Sequence, residues 1–157
     1  MKLKFICLAS GSSGNCFYLG TEDYGILIDA GIPVRTIKGA LKDVGIDFDR
    51  IMGVFVTHDH ADHIKSLGTL GEKYNIPIYA TRATHVGINK NYCMTQKLVS
   101  CMRYVEKDEV LNFRDFQITP FEVPHDGSDN VGYCIEHDGK CFCFITDIGH
   151  ITSTVAS

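Results

Sequence analysis

The chain has 157 residues, 45% of them hydrophobic and 22% charged, with a formal net charge of −4. That length suits one domain, and that balance excludes an intrinsically disordered chain. The negative charge argues against a domain held to nucleic acid by bulk electrostatics, but not against a nucleic-acid substrate met through bound metal.

In chain order, the N-terminus superficially resembles a secretion signal, with Lys2 and Lys4 followed by apolar residues. Its unbroken apolar run is only Phe5 to Ala9, shorter than the ~7–15 residues of a signal core. A strand over Lys4–Leu8 is the better reading. No run approaches the ~18 apolar residues of a membrane span. A small polar loop, Ser10 to Asn15, comes next. Cys16–Leu19 and Gly25–Asp29 read as a strand pair around the turn Gly20–Tyr24. Pro33 to Val44 reads as a helix with Val34, Ile37, Leu41 and Val44 on one stripe. Ile51–Val56 is a short apolar run suited to a strand buried on both faces.

The spacing of Ile64, Leu67, Leu70 and Tyr74 predicts one helix over Ala61–Tyr74, and Ile76–Ala80 another strand. Thr81 to Met94 is ambiguous between a short helix and a loop. Phe116 to Val123 alternates in two phases, which a bulge near Thr119-Pro120 would reconcile. Val131–Glu136 and Cys141–Thr146 form a hairpin around Asp138-Gly139, a good two-residue turn.

Seven cysteines are present: Cys7, Cys16, Cys93, Cys101, Cys134, Cys141 and Cys143. The number is odd and no CxxC occurs. Free buried thiols in a reducing cytoplasm are the expectation. Cys141 and Cys143 share one strand face, which is weak support for zinc without a second pair.

The chemistry concentrates where Ile51–Val56 ends. His58 and His60 are two apart in extended chain, so their rings can face one side. Asp62 and His63 begin the next helix and can enter the same space from another angle. Three imidazoles and a carboxylate form a borderline ligand set suited to Zn²⁺, with Mn²⁺ or Fe²⁺ as alternatives. Four such residues within six positions close poorly around one ion and favour two adjacent metals.

Thr57-His58-Asp59-His60-Ala61-Asp62-His63 resembles the HxHxDH motif of the metallo-β-lactamase superfamily. Three further segments resemble that family in order: Ile26 to Gly31, Val123-Pro124-His125-Asp126 and Phe144-Ile145-Thr146-Asp147. The loop Ala9 to Asn15 resembles the YycJ-like subgroup, associated with exonuclease-type activity on DNA. The resemblance implies an α/β fold, the N-terminal portion of an αβ/βα sandwich with a mixed β-sheet and flanking helices. It implies that His58, His60 and His125 hold one Zn²⁺, that Asp62 and His63 hold a second, and that Asp147 bridges them. Asp62 would also act catalytically by orienting a metal-activated hydroxide. A phosphodiester or nucleic-acid substrate follows, and no membrane partner. A histidine at position 60, where the redox-active diiron branch usually carries Glu, favours hydrolysis.

The family's last metal-binding histidine has no match, so the expectation is a domain over residues 1–157 incomplete at its C-terminus, with an exposed half-core prone to self-association. Two alternatives stay open: a hydrolase of small esters, thioesters or lactones, and a non-catalytic metal-binding fragment. In the polar loop, Ser12, Ser13 and Asn15 could cradle a phosphate as a backbone nest, or merely form a tight turn. His150 could serve substrate or proton transfer, or be incidental. Asp29 could orient the histidines or bond loop amides. Asp126, Ser128 and Asp129 could rim the site or turn the chain. His85 and His137 read as incidental, the latter exposed beside its turn. Arg35, Lys38 and Lys42 read as a solvated helix face.

Overall fold

Short apolar stretches separated by small polar residues become strands, and the strands form two sheets. A computed structural model describes residues 3–123, 130–147 and 150–156, with side chains as far as Ile145. β1 (Lys4–Ala9) pairs antiparallel with β2 (Cys16–Gly20), and β2 with β3 (Gly25–Ala30). From β3 the chain crosses through α1 (Val34–Asp43) to β4 (Ile51–Phe55), which lies parallel to β3. β5 (Ile78–Ala80) and β6 (Met102–Tyr104) extend the sheet in parallel, in the order β1-β2-β3-β4-β5-β6.

α1 buries Ile37 and Leu41 and leaves Arg35, Lys38 and Lys42 in solvent, as expected. Val44 departs from the expected stripe: it lies past the helix end and is 44% exposed. The ambiguous segment becomes α3 (Arg82–Lys90), capped by the Thr81 hydroxyl, which accepts from the Thr84 N–H.

The second sheet is antiparallel: β7 (Leu111–Phe113), β8 (Phe116–Glu122), β9 (Val131–His137), β10 (Lys140–Asp147) and β11 (His150–Ala156), ordered β11-β10-β9-β8-β7. Asp138 and Gly139 both take positive φ, 51° and 78°, forming the expected hairpin turn. The expected bulge in β8 does not form, since its register with β9 runs unshifted from Gln117↔Glu136 to Glu122↔Val131. Phe116, Ile118 and Pro120 are buried, whereas Phe121 lies half-buried on the other face over Gly132. Pro120 is tolerated because β7 pairs only as far as Ile118 on that side. His137 is buried rather than exposed. Its strand position puts it on the face of Tyr133 and Ile135, against Phe116.

Between the sheets, Phe17, Ile28 and Phe55 meet Phe116, Tyr133 and Phe144. On the other side of the first sheet, Leu27, Val54 and Val56 meet Ile37, Leu41, Leu67 and Ile88. β4 is therefore buried on both faces, as its sequence predicts.

The expected helix over Ala61–Tyr74 is broken. An α-helical turn, α2 (Ala61–Ile64), is followed later by a π-helical turn over Thr69–Lys73. The cause is an exchange of backbone partners. Ser66 N–H donates to Ala30 O at 2.9 Å instead of to Asp62 O, and Asp62 O accepts from Asn15 N–H at 2.8 Å. The Ser66 hydroxyl is likewise taken by Ile32 O. This stitches α2 to the end of β3 and to the polar loop, and it demands close approach. A Cβ on Gly31 would lie 1.7 Å from Asp62 O. Gly31→Ala is expected to lower the thermal midpoint by about 5 °C, since overpacking costs ~1–3 kcal/mol. A calorimetric scan checks this, and an unchanged midpoint would contradict the stitched geometry.

Candidate metal centre

The C-terminal end of β4 delivers Thr57 and His58 beside the end of β3, where Asp29 sits. Asp29 is fully buried and holds a left-handed backbone, φ 61°, which turns its carboxylate across to the neighbouring strand. The carboxylate accepts three hydrogen bonds: from Thr57 N–H at 2.8 Å, from the Thr57 hydroxyl at 2.7 Å and from His63 Nδ1 at 2.6 Å. Because the Thr57 hydroxyl spends its proton on Asp29, its oxygen accepts from His58 Nδ1, 2.8 Å away. Both imidazoles thus carry the proton on Nδ1 when neutral, and both Nε2 atoms present a lone pair.

The rings converge. His58 lies 4.0 Å from His63 and 4.5 Å from His60, centroid to centroid. Asp62 brings a carboxylate oxygen to 3.6 Å from His63 Nε2. Burial, then the neighbouring charge of His63, pushes the His58 pKa down to about 4, so the ring is neutral near pH 7. Burial alone would lower the His63 pKa too, but the charge and hydrogen bond of Asp29, with Asp62, outweigh it and raise the value. Buried neutral nitrogen and a facing carboxylate are the donors a divalent cation of the zinc type takes. Asp29 shares the cluster, yet its oxygens are committed to Thr57 and His63, so it orients those side chains.

Other residues hold this arrangement. Asn15 is buried, its side-chain oxygen accepting from Gly11 N–H at 3.1 Å. Its amide reaches Gly11 O at 2.9 Å, the Asp62 carboxylate at 3.0 Å and His63 Nε2 at 3.3 Å. Asn15 therefore fastens the polar loop to Asp62. Ser12 and Ser13 stand exposed at the loop's lip, where Lys65 Nζ donates to Ser13 O at 3.2 Å. Asp59 does not face the rings. Its side chain packs on Gly87 of α3, where a Cβ would lie 1.7 Å from Oδ2, and its carbonyl accepts from Asn91.

The structure brings together His58, His60, Asp62, His63 and Asn15. His125, Asp126, Ser128 and Asp129 lie outside the described residues, as do the side chains of Asp147 and His150. The flanks of 124–129 are placed: Val123 N–H donates to Asn130 O, and Val131 N–H to Thr57 O at 3.0 Å. Tyr133 adds a bond from its hydroxyl to Val56 O at 2.6 Å. The two flanks are thus bonded to each other, and the later one is fastened at Val131 to the strand end that carries His58. His85 is spent on structure, its Nε2 lying 2.7 Å from Arg103 O. Sequence reasoning missed Thr57 and Asn91. A hydroxyl immediately before the first histidine was the available signal for Thr57; Asn91 gave none.

Residues 24–157 match the beta-lactamase superfamily domain. The chain is 33% identical over 155 residues to exodeoxyribonuclease YycJ of Bacillus anthracis, covering 97% of this chain and 57% of that protein. It is 32% identical over 153 residues to exodeoxyribonuclease WalJ of Streptococcus pneumoniae serotype 2, covering 98% and 57%. The chain therefore spans little more than half the length of these relatives. Among solved structures, a metallo-β-lactamase of Cronobacter sakazakii superposes with a TM-score of 0.71 at 15% identity, over 90% of this chain and 60% of that one.

Asp29→Asn replaces one acceptor oxygen with a donor and disrupts both tautomer assignments. It is expected to weaken divalent-metal binding roughly 10–100-fold, the usual loss when an outer-shell partner of a ligating histidine is removed. Titration calorimetry with Zn²⁺ checks this, with circular dichroism confirming the fold. Unchanged affinity would remove Asp29 from the role given to it.

Proposed function

Because the chain belongs to the beta-lactamase superfamily and has the metallo-β-lactamase fold, we propose that it acts as a metal-dependent hydrolase of phosphodiester bonds in nucleic acid. The observation that carries this reading is the hydrogen-bond chain Asp29–Thr57–His58 with Asp29–His63. It turns two buried Nε2 lone pairs, that of His63 within reach of the Asn15 amide, toward the Asp62 carboxylate. His58, His60 and His125 would hold one divalent cation, Zn²⁺ or Mn²⁺, and Asp62 and His63 a second, with Asp147 between them. When bound, such a pair polarises a phosphoryl oxygen and makes water a nucleophile at neutral pH.

The chain's own residues supply the positioning. Asn15 holds the Asp62 carboxylate, and Asp62 orients the attacking water. Ser12 and Ser13, with Lys65 beside them, form a polar lip suited to a backbone phosphate. With a net charge of −4, attraction for a polyanion has to be local. The two exodeoxyribonuclease relatives, each about a third identical over nearly the whole chain, support a DNA substrate. Seven unpaired thiols support a reducing, cytoplasmic setting. Among the described residues no helix is long and apolar enough to cross a membrane.

Two measurements test the proposal. Elemental analysis of the purified protein is expected to show Zn or Mn, and the double variant H58A/H60A to lose most of it. Degradation of end-labelled DNA with Mn²⁺ or Zn²⁺ present is expected to fall at least 100-fold in D62A with the fold intact. Full metal content in the double variant would overturn the site. Faster turnover of a lactone or thioester than of DNA would overturn the substrate.

A further inference from the structure

The hairpin β9–β10 carries three of the chain's cysteines on the sheet face turned away from the inter-sheet core. Cys134 stands directly opposite Cys143, and Glu136 opposite Cys141. Their strand neighbours Tyr133, Ile135, Phe142 and Phe144 point the other way, into the core. The side-chain sulfurs converge. Cys134 Sγ lies 2.9 Å from both Cys141 Sγ and Cys143 Sγ, which are 3.9 Å apart. All three are partly buried and none is in a disulfide.

We propose that Cys134, Cys141 and Cys143 form a thiolate site for a thiophilic d¹⁰ cation such as Zn²⁺, on the outer face of the second sheet. A disulfide joins two sulfurs and leaves the third over, and Cys134 is equidistant from both partners. A cation engages all three at once. Tetrahedral zinc with Zn–S of ~2.3 Å spaces its sulfurs roughly 3.8 Å apart. Cys141 and Cys143 already have that separation, and Cys134 reaches it by withdrawing about 0.9 Å. Water or a further side chain would take the fourth position. Soft sulfur ligands also set the site's preference: it selects against Mn²⁺ and Mg²⁺, which favour oxygen. A cation here would clamp the hairpin whose second strand runs on to Asp147. The inference does not rest on the histidine site.

The test uses Cd²⁺ alone as the probe, added to the fully reduced protein under a phosphine reductant. Sulfur-to-metal charge-transfer absorption is expected to saturate at one equivalent. Cd²⁺ is expected to slow modification by a thiol reagent at three cysteines by at least tenfold. H58A/H60A is expected to keep the band, which separates this site from the histidine one. C134S and C143S are each expected to lose most of it, while C93S keeps it. Circular dichroism and the thermal midpoint report folding of each variant. Absence of the band in the folded wild-type protein would overturn the proposal, as would its persistence in C134S. A mass two daltons low without reductant, with no Cd²⁺ band after reduction, would show a disulfide pair instead and also overturn it.

Discussion

A single buried carboxylate organises this protein. Asp29 sits at zero exposure, where an unpaired charge would cost several kcal/mol or more. Three donors compensate it: the Thr57 N–H, the Thr57 hydroxyl and His63 Nδ1. Those donors come from two different segments after β4, so satisfying Asp29 forces Thr57 and His63 together. His58 follows, because the Thr57 oxygen is the acceptor left for its Nδ1. The polarity of His58 and His63, protons toward Asp29 and Thr57 and lone pairs away, descends from one acceptor that cannot be left unmet.

The second constraint is a trade of backbone partners around Asp62. A regular helix would bond Ser66 N–H to Asp62 O. Here Ala30 takes the donor and Asn15 the acceptor, so neither of these two backbone groups is orphaned while the ladder is interrupted. The interruption keeps α2 to one turn and pins it to the end of β3 and the polar loop. Asp62 and His63 thereby point across the end of the sheet at His58. Gly31 is required because that pinning leaves no room for a side chain.

The two sheets meet on aromatic rings, with Phe55, Tyr133 and Phe113 packed edge-on. Polar bonds then fix how the second sheet meets the site. Tyr133 to Val56 and Val131 to Thr57 bind β9 to the end of β4. These bonds join the sheets where the histidines emerge. The outer face of the same hairpin is chemically separate, and there alternation puts thiols where the inner face has aromatics.

Much of this was readable in the chain. The period-two runs, the Asp138-Gly139 turn and the dense ligand cluster after a doubly buried strand depend on local chemistry, and local chemistry is in the sequence. The short strands β6 and β7 were not readable, because three residues carry too little alternation to register. The broken helix was missed because its apolar spacing is intact; only the distant partners Ala30 and Asn15 reveal why the ladder stops. The roles of Asp29 and Asn15 stood between alternatives, since which donor a carboxylate or amide meets depends on segments far away in the chain. The sequence by itself determined which residues could bind metal and where the longer apolar runs would form strands. The tertiary structure alone decided where protons sit on the His58 and His63 rings, that the Asp29 carboxylate is taken up by Thr57 and His63, and that three cysteines meet, because each is a matter of distance between groups that sequence order does not bring together.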